Sequence, residues 1–199
     1  YKYEDVDQVE RLFALEESGF KYTRTGNPTL AAFEQKMTIL EGGTGAVATS
    51  TGQAAVLLAV ANLLRAGDHL VSARTIYGGS HVLFGTTLKK LGIETTFVNP
   101  EDPVEELRKA FRPNTRLLFG ETIGNPALDI LDFDKFSSLA HEFDVPFIVD
   151  NTLATPFLCQ PFHHGADIVV HSATKIKVGL QTTLGSCSET HWQGTPPRV

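Results

Sequence analysis

Long apolar runs are missing from these 199 residues. No stretch approaches the roughly 20 residues that span a bilayer, so the sequence argues against a membrane protein. Cysteine is scarce. Cys159 and Cys187 are the only two, with no CxxC spacing, which excludes a disulfide-stapled miniprotein and a cysteine-rich metal site. Their scarcity points to a reducing, cytoplasmic setting. Positive charge is not in excess. The 17 Lys and Arg stand against 23 Asp and Glu, for a formal charge of -6, so the sequence as a whole does not read as a nucleic-acid binder. Several signatures are absent too. Without GxGxxG after the first strand or GxxxxGK[ST], dinucleotide and P-loop readings lose their support, and without GxSxG so does a serine hydrolase. His141-Glu142 is not part of an HExxH. What remains is a composition of 42% hydrophobic and 20% charged residues, that of a folded globular chain rather than a disordered one. The chain opens Tyr1-Lys2-Tyr3, with no initiator methionine and no apolar signal region, and is expected to be an excerpt of something longer.

The pattern along the chain alternates. Residues 4–17 have helical spacing and stop at Ser18-Gly19. After a polar loop, Pro28 is suited to open a helix over residues 29–40, ended by Gly42-Gly43-Thr44-Gly45. Residues 53–64 form an Ala/Leu/Val helix that is apolar almost all round and is therefore expected to be buried. Short strands are expected at 69–72, 94–98, 116–119, 146–149 and 167–170, with helices at 80–91, 103–111 and 134–143 between them. Short apolar strands separated by helices predict an α/β fold with a mostly parallel sheet covered on both faces. Residues 176–199 carry few apolar residues in phase and receive no assignment. The expected division is an N-terminal helix, loop and helix over residues 1–50, an α/β domain over 51–175 and an atypical tail over 176–199.

Ligands of an open parallel sheet collect at the carboxyl ends of its strands. Three polar clusters fall there: Thr122-Ile123-Gly124-Asn125, Asp150-Asn151, and His171-Ser172-Ala173-Thr174-Lys175. A fourth, Ser50-Thr51-Gly52-Gln53, sits at a helix amino end, where free N–H groups suit a phosphate. An acid at one strand end and a lysine 25 positions on at another is a specific demand. A deprotonated lysine amine condenses with carbonyl compounds. An acid facing a pyridinium nitrogen keeps such a ring protonated and able to take up electrons. Taken singly, each residue has a plainer reading. Asp150 reads equally as a loop acid or helix cap, Lys175 as a solvated lysine, Ser172 and Thr174 as turn formers, Gly52 as a turn residue and Tyr77 as core or rim. His163-His164 reads as structural: on a strand the two rings face opposite ways, and no third metal ligand is spaced for them, so no metal site is expected. Joint occurrence at strand ends is what favours the lysine chemistry.

Seven segments occur together and in order: Tyr22-Thr23-Arg24-Thr25-Gly26-Asn27-Pro28-Thr29, Glu41-Gly42-Gly43, Ser50-Thr51-Gly52-Gln53-Ala54-Ala55, Tyr77-Gly78-Gly79, Glu121-Thr122-Ile123-Gly124-Asn125-Pro126, Val149-Asp150-Asn151-Thr152 and His171-Ser172-Ala173-Thr174-Lys175. In these the chain resembles the Cys/Met-metabolism pyridoxal-phosphate enzymes. Residues 120–129 tilt the resemblance toward the sulfhydrylase branch that acts on O-acetylhomoserine. The resemblance implies the large domain of a type I PLP-dependent transferase, aspartate aminotransferase-like. Its cofactor would be pyridoxal 5'-phosphate, joined to Lys175 as a Schiff base. Asp150 would pair with the pyridinium nitrogen, Tyr77 stack on the ring, and Asn125 lie near the phenolic oxygen. Gly52, Gln53, Ser172 and Thr174 would hold the phosphate. Tyr22 and Arg24 would reach the phosphate of a neighbouring subunit, in a homo-oligomer built as a dimer of dimers. Arg24 suits that role as a permanently charged fork.

The implied reaction is γ-replacement on O-acetylhomoserine by sulfide or a thiol, giving homocysteine or methionine, with Lys175 carrying protons. A methionine or cystathionine γ-lyase is the alternative within the family. A non-catalytic fragment or dimerisation partner is the alternative outside it. Family members are longer, and a C-terminal domain supplying an arginine for the substrate carboxylate is expected to be absent here. After Lys175 the family runs Gly-Gly-His-Gly. Here the sequence is Ile176-Lys177-Val178-Gly179, and only Thr182-Thr183 and Gly185 echo the pattern beyond it.

Overall fold

A computed structural model of the chain describes residues 2–175 and the backbone of the strand Thr183–Cys187. Seven strands form one sheet: β1 (Gly45–Thr49), β2 (His69–Ala73), β3 (Glu94–Val98), β4 (Thr115–Glu121), β5 (Phe147–Asp150), β6 (Ile168–Ser172) and β7 (Thr183–Cys187). Their order is β1-β7-β6-β5-β4-β2-β3. The pairs from β6 to β3 are all parallel, and β7 lies antiparallel to both β6 and β1. This is the mostly parallel α/β architecture that the alternating pattern predicts.

The helices are α1 (Val6–Ala14), α2 (Pro28–Glu41), α3 (Gly52–Leu63), α4 (Gly78–Val82), α5 (Val104–Arg108), α6 (Phe133–Glu142) and α7 (Thr155–Leu158). Local chemistry explains their ends. Asn27 caps α2 by accepting from Thr29 N at 2.9 Å, Pro28 takes its first position, and Gly42 closes it in the left-handed region at φ 72°. Thr51 caps α3 by accepting from Ala54 N at 3.0 Å. Asp132 does the same for α6 through Lys135 N at 3.0 Å.

All five residues of β2 are buried. Successive side chains on a strand point to opposite faces, so both faces of this strand are covered. The core built around it includes Phe84, Phe119, Phe136, Phe147, Leu70 and Leu117, each under 2% exposed. Burying such a side chain contributes about 1.5–3 kcal/mol. Phe84 and Phe119 meet edge to face at 4.9 Å, a favoured aromatic geometry.

Four expectations from the sequence need correction. The first helix ends at Ala14, with Leu15 left-handed at φ 63°, ahead of the Ser18-Gly19 stop. The helix expected over residues 80–91 starts earlier, at Gly78, and widens to π geometry over Leu83–Leu88. Helix α3 is not buried all round. Ala55, Val56 and Val60 face inward while Leu58 is 57% exposed, because one side of the helix lies on the sheet and the other looks out. His163 and His164 sit in a one-turn 3₁₀ segment, Pro161–His164, not on a strand. Strand β1 carries no signal strong enough to predict it. Its ladder partner among the described residues is β7, which lies about 140 positions away and falls in the region left unassigned. The rest of that tail lies outside the described residues.

Candidate active site

The parallel strands β4, β5 and β6 end side by side, and their carboxyl ends open into a cavity of about 590 Å³. Gly52, Gln53, Tyr77, Asn125, Asp150, Ser172, Thr174 and Lys175 all line it. Eight of the ten residues singled out in the sequence thus meet in one hollow, although they span more than 120 positions. Tyr22 and Arg24 do not. They sit in the exposed loop before α2, where the Arg24 guanidinium lies over the Tyr22 ring at 5.3 Å.

One end of the cavity is built for an anion. The amino end of α3 presents the backbone of Gly52 and Gln53, and the Ser172 and Thr174 side chains face the same space. Gly52 permits this closeness. A Cβ there would lie 3.0 Å from both Cβ and Oγ of Ser172, so a larger residue needs Ser172 to give by a few tenths of an ångström. Gln53 Nε2 donates to Ser80 Oγ at 3.1 Å, which ties α3 to α4.

The opposite chemistry lies on β5. Asp150 Oδ1 accepts from Thr152 N at 3.0 Å and from Thr152 Oγ1 at 2.5 Å. The same hydroxyl accepts from Ser172 N at 2.7 Å, so one threonine locks the ends of β5 and β6 together. Asp150 Oδ2 takes no hydrogen bond among the described residues. Burial pushes the Asp150 carboxyl up, against the hydrogen bonds from Thr152 and the charge of His171, which pull it down.

A second acid was not singled out in the sequence. Glu121 ends β4 in register with Asp150, lines the same cavity and is 4% exposed. Burial, and then the neighbouring Asp150, push its pKa up to about 8. Its Oε2 accepts from Tyr77 N at 2.7 Å, which seats the tyrosine at the start of α4. The available signal was positional: Glu121 is the strand-end acid of β4 just as Asp150 is of β5. Thr152 and Leu153 also line the cavity unforeseen.

Lys175 follows a tight turn after β6, its N–H donating to Ser172 O at 2.9 Å, and its side chain is exposed to the cavity. Tyr77 is half-exposed over Gly79, where a Cβ would meet the ring at 2.5 Å. Gly124 allows a similar approach, since a Cβ on it would lie 2.7 Å from Thr75 O. An amine, a pair of raised carboxyls, an aromatic rim and an anion cradle therefore share one hollow. A buried acid and a part-buried one side by side suit a cation beside them, and a pyridinium ring carrying a phosphate and an aldehyde meets all four features.

Comparison with known proteins decides the family. The model of the Cys/Met metabolism PLP-dependent enzymes matches residues 1–192. The chain belongs to the Cys/Met metabolism PLP-dependent enzyme family. Within that family it is 46% identical over 185 residues to an O-acetyl-L-homoserine sulfhydrylase of Leptospira meyeri, covering 93% of this chain and 42% of that protein. It is 45% identical over 174 residues to an L-methionine gamma-lyase of Fusobacterium nucleatum, covering 87% of this chain and 44% of the other. The chain thus spans less than half the length of these relatives. Among solved structures, a Campylobacter jejuni protein named as an O-acetylhomoserine (thiol)-lyase superposes with a TM-score of 0.86 at 36% identity, over 96% of this chain and 47% of that one. That structure carries N'-pyridoxyl-lysine-5'-monophosphate.

Proposed function

We propose that the full-length protein is a pyridoxal 5'-phosphate enzyme that converts O-acetylhomoserine and sulfide or a thiol into homocysteine or methionine, releasing acetate. The observation that carries the reading is the convergence of Lys175, Asp150, Glu121 and the α3 amino end on one cavity. When bound, the cofactor supplies an aldehyde that condenses with amines and a protonated ring that takes up electrons. Gly52 and Gln53 N–H groups, with the Ser172 and Thr174 hydroxyls, bind its phosphate. Asp150 would supply the anion for its ring nitrogen, and Tyr77 and Asn125, which line the same cavity, would complete its pocket.

Lys175 then has two tasks. Its amine would hold the cofactor aldehyde, and it would accept the proton from the substrate Cα. An amine on a flexible stem suits both, because it can swing and change charge. The 1–50, 51–175 and 176–199 division is proposed as drawn from the sequence, with the site falling in the central part.

Tyr22 and Arg24 are assigned to the site of a neighbouring subunit, so the working form is a homo-oligomer, a dimer of dimers. Two features support this. Both residues stand exposed outside their own chain's cavity, and apolar Phe157, Leu158 and Ile39 are 92%, 70% and 72% exposed. The net charge of -6 supports a small-molecule substrate over nucleic acid. No helix among the described residues is long and apolar enough to cross a membrane. We assign the protein to the cytoplasm on its sparse cysteine usage.

The similarity to a methionine gamma-lyase favours a second reading, elimination rather than replacement. Product analysis separates them. With O-acetylhomoserine and sulfide, the full-length protein is expected to yield homocysteine and acetate. With methionine alone it is expected to yield no methanethiol. Rapid release of methanethiol, ammonia and a 2-oxo acid from methionine overturns the sulfhydrylase assignment in favour of the lyase.

A further inference from the structure

Thr152 gives one hydroxyl to two strands. It lines the cavity, is 8% exposed and carries no charge. The β5–β6 ladder shows what that hydroxyl replaces. Asp150 pairs with Val170, and Asn151 N donates to Val170 O at 3.0 Å. The next bond of a parallel ladder would run from Ser172 N to Asn151 O. Here Ser172 N instead donates to Thr152 Oγ1 at 2.7 Å, while Asn151 O accepts from Thr155 N at 2.9 Å. The threonine side chain stands in for a backbone carbonyl where the two strands reach the cavity.

Hydrogen-bond counting then fixes the direction of each bond. A hydroxyl has one proton to give and lone pairs to receive with. Ser172 N–H takes a lone pair, and the Thr152 proton goes to Asp150 Oδ1, 2.5 Å away. Thr152 N donates to the same oxygen at 3.0 Å. A carboxylate oxygen has about two lone-pair sites, so Oδ1 is filled and Oδ2 is the oxygen left for a ligand. Both bonds also favour the ionised carboxyl against the effect of burial.

We propose that Thr152 is a positioning residue for the cofactor: its hydroxyl, held by Ser172 N, occupies one oxygen of Asp150 and turns the other toward the ring nitrogen. This rests on the reading of the cavity as a pyridoxal phosphate site. Ser172 belongs to the anion end of the hollow, beside Gly52. The one hydroxyl therefore sets the ring-nitrogen partner in register with the phosphate cradle. Valine has the shape of threonine without the hydroxyl. It leaves Ser172 N without this acceptor and Asp150 Oδ1 with the backbone bond alone, free to turn.

The test is binding of two ligands to the cofactor-stripped, full-length protein: pyridoxal phosphate and its deaza analogue, in which C–H replaces the ring nitrogen. Both carry the aldehyde and the phosphate, so the preference for pyridoxal phosphate over the analogue reads the ring-nitrogen contact. Damage at the phosphate end, the freed Ser172 N included, weakens both ligands alike and cancels in the preference. Thr152→Val is expected to cut that preference about tenfold, the effect of one hydrogen bond to a charged group. Thr152→Ser keeps the hydroxyl and is expected to keep the wild-type preference. A merely structural role predicts that Thr152→Val weakens both ligands by the same factor, and that result overturns the proposal. If Thr152→Val does not accumulate as folded protein, Thr152→Ser decides alone, and a lost preference in it overturns the proposal. A wild type that binds both ligands equally overturns the ring-nitrogen contact and this proposal, and leaves the cofactor reading standing. A wild type that takes up neither overturns the cofactor reading, and this proposal with it.

Discussion

Lys175→Ala in the full-length protein is expected to lower turnover of O-acetylhomoserine with sulfide by at least about 10⁴-fold. The size follows from the two tasks assigned to one amine. Proton transfer alone contributes about 10²–10⁴-fold, and the same variant loses the anchor for the cofactor. The fold is expected to survive. The Lys175 side chain is exposed, and its one described hydrogen bond is a backbone N–H to Ser172 O that alanine also makes. Lys175→Arg is expected to be no better than alanine, because a guanidinium stays protonated and accepts no proton. Steady-state kinetics beside circular dichroism check both variants. A folded Lys175→Ala protein working within tenfold of the wild type removes Lys175 from the chemistry.

The other large effect is on stability against pH, and it comes from Glu121. Its carboxyl is raised from 4.5 to about 8 in the folded chain by burial and by Asp150. Between those values the folded form binds a proton that the unfolded form has released. Stability from this group is therefore fully present below about 4.5 and is lost as pH rises through about 8. At about 1.4 kcal/mol per pH unit, the loss is on the order of a few kcal/mol. Asp150 is raised as well, so it acts with the same sign. Glu121→Gln keeps an acceptor for Tyr77 N and has no proton to lose. The cofactor-free variant is expected to melt several degrees above the wild type near pH 8 and close to it near pH 5. Melting curves across that range decide the matter. Parallel curves at all pH values contradict the assignment of a buried, raised acid to this position. Pyridoxal phosphate, by placing a cation beside both acids, is expected to flatten the wild-type slope.

The two acids mark where reading from sequence stops. Asp150 was legible because it follows a clean apolar strand and sits a short way before a lysine at the next strand end. Glu121 occupies the equivalent place on β4 but is followed by a turn-forming run, Thr122-Ile123-Gly124-Asn125-Pro126, and reads as part of that turn. The Glu41–His171 contact joins residues 130 positions apart, and no local spacing encodes such a pair. The inner parallel strands β2, β4 and β5 were legible because nearly all their residues are buried and so form largely apolar runs, whereas edge strand β3 is half-exposed and carries Glu94-Thr95-Thr96. Strand β1 was not. It is half-exposed, and its pairing depends on β7 rather than on anything in its own five residues. Tyr22 and Arg24 stand outside the cavity of their own chain, and nothing in their local sequence distinguishes them from the residues that meet there.

The covalent anchor is the claim on which the rest turns. Borohydride reduction of the full-length protein with pyridoxal phosphate, followed by proteolysis and mass spectrometry, tests it most directly. The account predicts one pyridoxyl-phosphate label, on Lys175. A label on Lys177 or elsewhere with Lys175 unmodified, or no stable label at all, contradicts it.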